Sequence, residues 1–186
     1  MGDLVKNIAV VRGAPGSLIQ QLFQTLADRW RSSVCLAGVI AEDHGLPDRA
    51  CTAGYLRSLG GGERFQIFQD LGPGSQTCHL EGGGALAAAI AVQRDIAAGC
   101  DLVLLNKFGK LEADGGGLRD AFREAIEAGV PVLTSVAPAF AAAWDEFADS
   151  LYVVLPADAD RIEAWRQATM LAQPVHDHMS YQGSLR

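Results

Sequence analysis

The segment Leu102-Val103-Leu104-Leu105 places four large apolar residues in succession with no polar residue between them. A strand with one wet face alternates apolar and polar residues, whereas a strand covered on both faces does not. The run therefore predicts a strand inside a parallel sheet with helices above and below. Two earlier segments carry the same signal, Lys6-Asn7-Ile8-Ala9-Val10-Val11 and Val34-Cys35-Leu36-Ala37-Gly38-Val39-Ile40, and so do Val130–Val136 and Ser150–Leu155. Between them lie stretches with helical spacing. From Ser17, read as an N-cap, Leu18, Leu22, Phe23, Leu26 and Trp30 recur at helical intervals. Alanine-rich 84–98 ends at Gly99, 115–128 ends at Gly129, and 138–148 precedes the last strand.

This alternation defines an α/β class, a three-layer domain with a mostly parallel sheet. Segment 41–80 breaks the rhythm. There Gly60-Gly61-Gly62 separates two strand-like runs, and a β-hairpin is expected within about 50–70, inserted after the second strand. The domain is expected to span 1–156, with a C-terminal helix and flexible tail over 157–186. Trp30, Trp144 and Trp165 fall on helices and are expected in the core.

A chain of 186 residues can bury one core, and 15 basic against 22 acidic residues give a net charge of −7. That balance argues against nucleic-acid and anionic-membrane surfaces, so any anion must be caught locally. No apolar stretch reaches the roughly 20 residues of a membrane span, and the start has no export signal. A cytoplasmic location is expected, with Cys35, Cys51, Cys78 and Cys100 as thiols; homo-oligomerisation stays open. No residue set with metal-ligand spacing stands out, and no catalytic residue can be assigned.

Three segments carry candidate chemistry. The turn Arg12-Gly13-Ala14-Pro15-Gly16-Ser17 lies between a strand and a helix N-terminus, where amides and the helix dipole attract anions. It lacks the lysine and the glycine spacing of G-x-x-x-x-G-K-[ST], so Arg12 and Ser17 are candidates only for a smaller oxyanion, against the alternative of a plain turn. The strand at 101–106 delivers Asn106, Lys107, Lys110 and Glu112 to its carboxyl end; the lysines suit an anion, and Glu112 suits orienting them or a water. Solvated lysines paired with Glu112 are the alternative. In Gln69–His79, Gly72 and Gly74 flank Pro73, and the amides and hydroxyls of Ser75 and Thr77 suit an anion nest. Cys78 beside His79 reads as a buried thiol next to an exposed imidazole. The carboxyl ends of parallel strands share one crevice, so Arg12, Lys107 and the Ser75 region are expected to approach one another.

The runs DLVLLNKFGKLEADGGGLR at 101–119, QDLGPGSQTCHL at 69–80 and VPVLTSV at 130–136 resemble a bacterial family of uncharacterised NTPase-like proteins, a domain of unknown function whose members often accompany molybdate uptake. In element order the chain also looks like the thermophile nucleoside-triphosphatases and the molybdopterin-guanine-dinucleotide adaptor proteins, which share a P-loop core. Those relatives carry a full phosphate loop and an acidic residue on the later strand, where this chain has Arg12–Ser17 and Asn106. The resemblance implies binding of molybdate, another tetrahedral oxyanion or a nucleotide on a degenerate P-loop scaffold. The alternative it leaves is a nucleoside triphosphatase or nucleotide-dependent transferase with a non-standard phosphate loop.

Overall fold

The computed structural model describes residues 5–46, 53–68 and 82–172. Strand β1 (Ile8–Arg12) leads into helix α1 (Gly16–Trp30) and strand β2 (Leu36–Asp43). The hairpin follows as β3 (Ala53–Ser58) and β4 (Arg64–Gln66), then α2 (Gly82–Ala98) and β5 (Leu102–Phe108). A single helical turn α3 (Lys110–Ala113) comes next, and the helix expected over 115–128 is α4 (Arg119–Glu127), which starts four residues later because Gly115 and Gly117 both adopt positive φ. Strand β6 (Val132–Val136) leads through a 3-10 turn at Pro138–Phe140 to α5 (Ala141–Ala148), β7 (Tyr152–Pro156) and α6 (Ala159–Ala172).

One seven-stranded sheet runs in the order β4-β3-β2-β5-β6-β1-β7. Strands β2, β5, β6, β1 and β7 are parallel neighbours, and the hairpin adds β3 and β4 antiparallel on the β2 side. The apolar runs are continuous because alternate residues enter two separate cores. Ile8 and Val10 of β1, with Val103 and Leu105 of β5, pack under α2, α4 and α5. Ala9 and Val11, with Leu102 and Leu104, pack under α1 and α6. All three tryptophans are buried, Trp144 completely, as expected of core residues. The result is a three-layer α/β domain of P-loop-like architecture.

This topology positions a crevice. Strands β1 and β6 are adjacent, but the chain leaves β1 toward α1 on one face and leaves β6 toward α5 on the other. Where neighbouring strands send their connections to opposite faces, their carboxyl ends part and a ligand can enter.

Candidate functional site

The carboxyl end of β1 turns sharply at Gly13, whose φ of +89° places it in the left-handed region. Helix α1 starts at Gly16, with Pro15 in the N-cap position and no side chain capping the helix. Ser17 is therefore inside the first turn rather than the N-cap; Pro15 supplies fixed φ and its carbonyl accepts from Leu18 and Ile19 at 3.0 and 3.1 Å. Gly13, Gly16 and Ser17 are all exposed, and a Cβ at either glycine would meet nothing within 4 Å. An uncapped N-terminus with this much open space offers its amides and its dipole to an anion.

Two strands away, β5 carries an irregularity. Leu105 pairs with Thr134 of β6 and Phe108 with Val136, so β5 has one extra residue across from its neighbour, at Asn106-Lys107. A bulge of this kind re-aims side chains and is frequent beside functional sites. Ser135 fastens it by donating its hydroxyl to the Asn106 carbonyl at 3.0 Å. The Asn106 side-chain oxygen is buried without a partner, and Lys107 is exposed. By strand alternation, Asn106 and Ser135 continue the face of Leu104 and Leu133, which is the face of α1.

Arg12 continues the opposite face, that of Ile8 and Val10. Its guanidinium leans to within 5.9 Å of the Tyr152 ring, and one terminal nitrogen is buried with no hydrogen-bond partner. Tyr152 donates to Asp145 at 2.6 Å, which raises the phenol above its usual range, while Arg12 pulls the other way. The ends of β1 and β5 thus share one end of the sheet, but the Arg12 and Asn106 side chains lie on different faces. Strand β6 runs between them.

The loop after β5 is built around Glu112, which is 6% exposed. Its two carboxylate oxygens accept the Gly109 and Leu118 amides, each at 2.9 Å, and its backbone carbonyl accepts from Arg119. Lys110 pairs with Asp114 at 2.6 Å, not with Glu112. Glu112 therefore holds the loop from within, while Lys107 is presented from the bulge of β5 that precedes it. Gly72, Gly74, Ser75 and Thr77 lie outside the described residues, as do Cys78 and His79.

Sequence reasoning overlooked Ser135, because a serine inside an apolar strand carries no motif. It also overlooked a cavity of about 230 Å³ beside the carboxyl end of β2, lined by His44, Leu46, Tyr55, Gln66 and Phe68. His44 stacks on Phe68 at 4.3 Å there and accepts the Leu46 amide at Nδ1. Among the described residues, no group of three metal-ligating side chains comes together. None of their helices is long and apolar enough to cross a membrane.

A three-layer P-loop-like domain with an open helix N-terminus at its switch point is the class that fold and crevice define. The chain belongs to the family described as "Protein of unknown function (DUF2478)", whose model matches residues 8–165. It is also similar to the molybdenum import ATP-binding protein ModC 2 of Bradyrhizobium diazoefficiens, with 42% identity over 108 residues. That stretch is 58% of this chain but only 12% of the relative, so the likeness is to one module of a much longer protein. No solved structure matches the chain.

Proposed function

We propose that this chain is an oxyanion-binding module of molybdenum metabolism, taking a tetrahedral dianion such as molybdate at the carboxyl-end crevice. The observation that carries the reading is the uncapped, open N-terminus of α1 at the point where β1 and β6 diverge, with the exposed Lys107 of the β5 bulge at the same end of the sheet. Amides at a helix start bind such anions without a metal, and an exposed lysine adds charge. The molybdenum connection rests on the name of the partial relative. In this reading the Gly13–Ser17 turn is a degenerate phosphate loop, and Arg12, Gly72, Gly74, Ser75 and Thr77 are the further candidates for the anion's surroundings.

The name of the same relative includes ATP binding, so a nucleotide phosphate is the second reading. Chemistry on a nucleotide needs a charge at the phosphates that the turn does not supply, since no lysine follows Gly16. We expect no magnesium-dependent ATP or GTP turnover by the pure protein.

Thermal-shift titration with molybdate, tungstate, sulfate, phosphate, ATP and GTP, each with and without magnesium, tests both readings, because a ligand of the native state raises Tm. The expected result is a rise with a tetrahedral oxyanion alone, weakened roughly tenfold in affinity by Lys107→Ala. Lys110→Ala should weaken it less, since that ammonium is already paired with Asp114. A shift only with nucleotide selects the second reading. No shift with any of the six, or unchanged oxyanion affinity in Lys107→Ala, removes the proposed site.

A further inference from the structure

At the opposite end of the sheet, two cysteines meet where β2 and β5 begin. Cys35 directly precedes β2, and Cys100 precedes β5 by two residues. Cys35 touches both chain neighbours of Cys100. Its carbonyl accepts the Asp101 amide at 2.8 Å, its amide donates to the Asp101 carboxylate at 2.8 Å, and its thiol points to the Gly99 carbonyl at 3.5 Å. The two thiols differ in access: Cys35 is exposed, while Cys100 is half-buried against the α2 side of the core.

We propose that Cys35 and Cys100 form a dithiol that closes to an intramolecular disulfide on exposure to a low-molecular-weight disulfide, with Cys35 as the entry thiol. The Cys35 thiolate attacks one sulfur of the small disulfide, forming a mixed disulfide and releasing one small thiolate. The Cys100 sulfur then attacks Sγ of Cys35 and displaces the second small thiol. Two protein thiols become one disulfide and one small disulfide becomes two thiols, with the protein's two protons passing to them. Burial, the facing Cys35 and the Asp101 and Asp95 carboxylates push the Cys100 thiol up to about 11, so it is a poor first nucleophile. It is suited to the second step, where the electrophile is delivered beside it. The new bond would tie the start of β2 to the start of β5 and enclose the hairpin and α2 in one covalent loop.

The test incubates the full-length folded protein with glutathione disulfide, blocks remaining thiols and maps disulfides by mass spectrometry. A second sample uses Cys51→Ser/Cys78→Ser, so that neither of those cysteines can take part. The expected result in both is a link between the peptides holding Cys35 and Cys100, absent in Cys35→Ser. Tm should rise by about 5–10 °C and fall back on adding dithiothreitol, because the loop constrains the unfolded chain. Cys35 recovered only as a mixed glutathione disulfide with Cys100 free overturns the proposal, as do two free thiols. A link that forms only with loss of the melting transition also overturns it, since it then belongs to unfolded chain.

Discussion

Glu112 shows how far one residue's role can differ from what its sequence position implies. A carboxylate six residues beyond Asn106 suits a site that handles protons or water, yet it spends both oxygens on the Gly109 and Leu118 amides in a buried loop. Removing it leaves two buried donors without acceptors, at about 1–3 kcal/mol each. Glu112→Ala should therefore lower stability by about 2–4 kcal/mol in urea unfolding. Glu112→Gln, which keeps one acceptor oxygen, should cost less. An Ala variant within about 0.5 kcal/mol of wild type would show that the loop is held by something else. Glu163 makes a second case. Hydrogen bonds from Arg166, Gln167 and the Trp30 indole hold its carboxyl at about 2, against an ordinary 4.5. A carboxyl lowered on folding stabilises the protein above its unfolded value, and that stability disappears as pH falls from 4.5 toward 2. The group is partly exposed, so solvent screening limits the gain to about 1 kcal/mol. The Tm gap between wild type and Glu163→Gln should thus be widest above pH 5 and narrow steadily as the pH falls from 4.5 toward 2; a gap unchanged over that range would rule out the ionised carboxyl as its cause.

Elements were legible where burial on both faces wrote itself into consecutive residues. The runs at 8–11, 36–40 and 102–105 fill two cores by strict alternation, as strands covered on both faces do. Helix α1 was read from its spacing, but its start was not. Ser17 has the right chemistry for a cap, whereas Pro15 has the right backbone, and the turn is decided by backbone because Gly13 has already reversed the chain. The single turn α3 was not read at all, and α4 was placed four residues too early because Gly115 and Gly117 adopt positive φ, which helical spacing does not show. Inside β2, Gly38 is required by the pairing with β5, which no feature of the apolar run 34–40 signals. Its φ is +118°, and a Cβ there would lie 2.0 Å from the Leu104 carbonyl oxygen of the paired strand. Gly38→Ala must displace β5, so a loss of more than about 3 kcal/mol is expected, seen as insoluble protein or a sharply lowered Tm. Wild-type melting in that variant would contradict the β2–β5 register.

Across the whole molecule, contacts between distant residues were the least legible, since neither partner signals the other. Ser135 reaches the Asn106 carbonyl across 29 positions, and Trp30 reaches Glu163 across 133. The candidate crevice could be anticipated as a place, because parallel strands must end together, but not the assignment of Arg12 and Asn106 to different faces. That assignment depends on residue parity within each strand once the register is known. The same long-range closure decides what α6 is for. Ile162 is fully buried and Trp165 is 7% exposed, both within the core formed by α1 and the sheet, and the Trp165 indole donates to the Lys6 carbonyl at 2.9 Å just before β1. Burying two such side chains contributes about 3–6 kcal/mol, a large share of the 5–15 kcal/mol that holds a typical domain together. A chain ending at Pro156 would also strip Trp30 of the Glu163 acceptor of its indole N–H and of the Arg166 guanidinium over its ring. It is expected to aggregate or to lose its cooperative melting transition, while Arg161→Ala, which alters an exposed position on the same helix, should melt like wild type. If the 1–156 chain instead melts cooperatively at the full-length Tm, α6 is an appendage and the core on that face is complete without it.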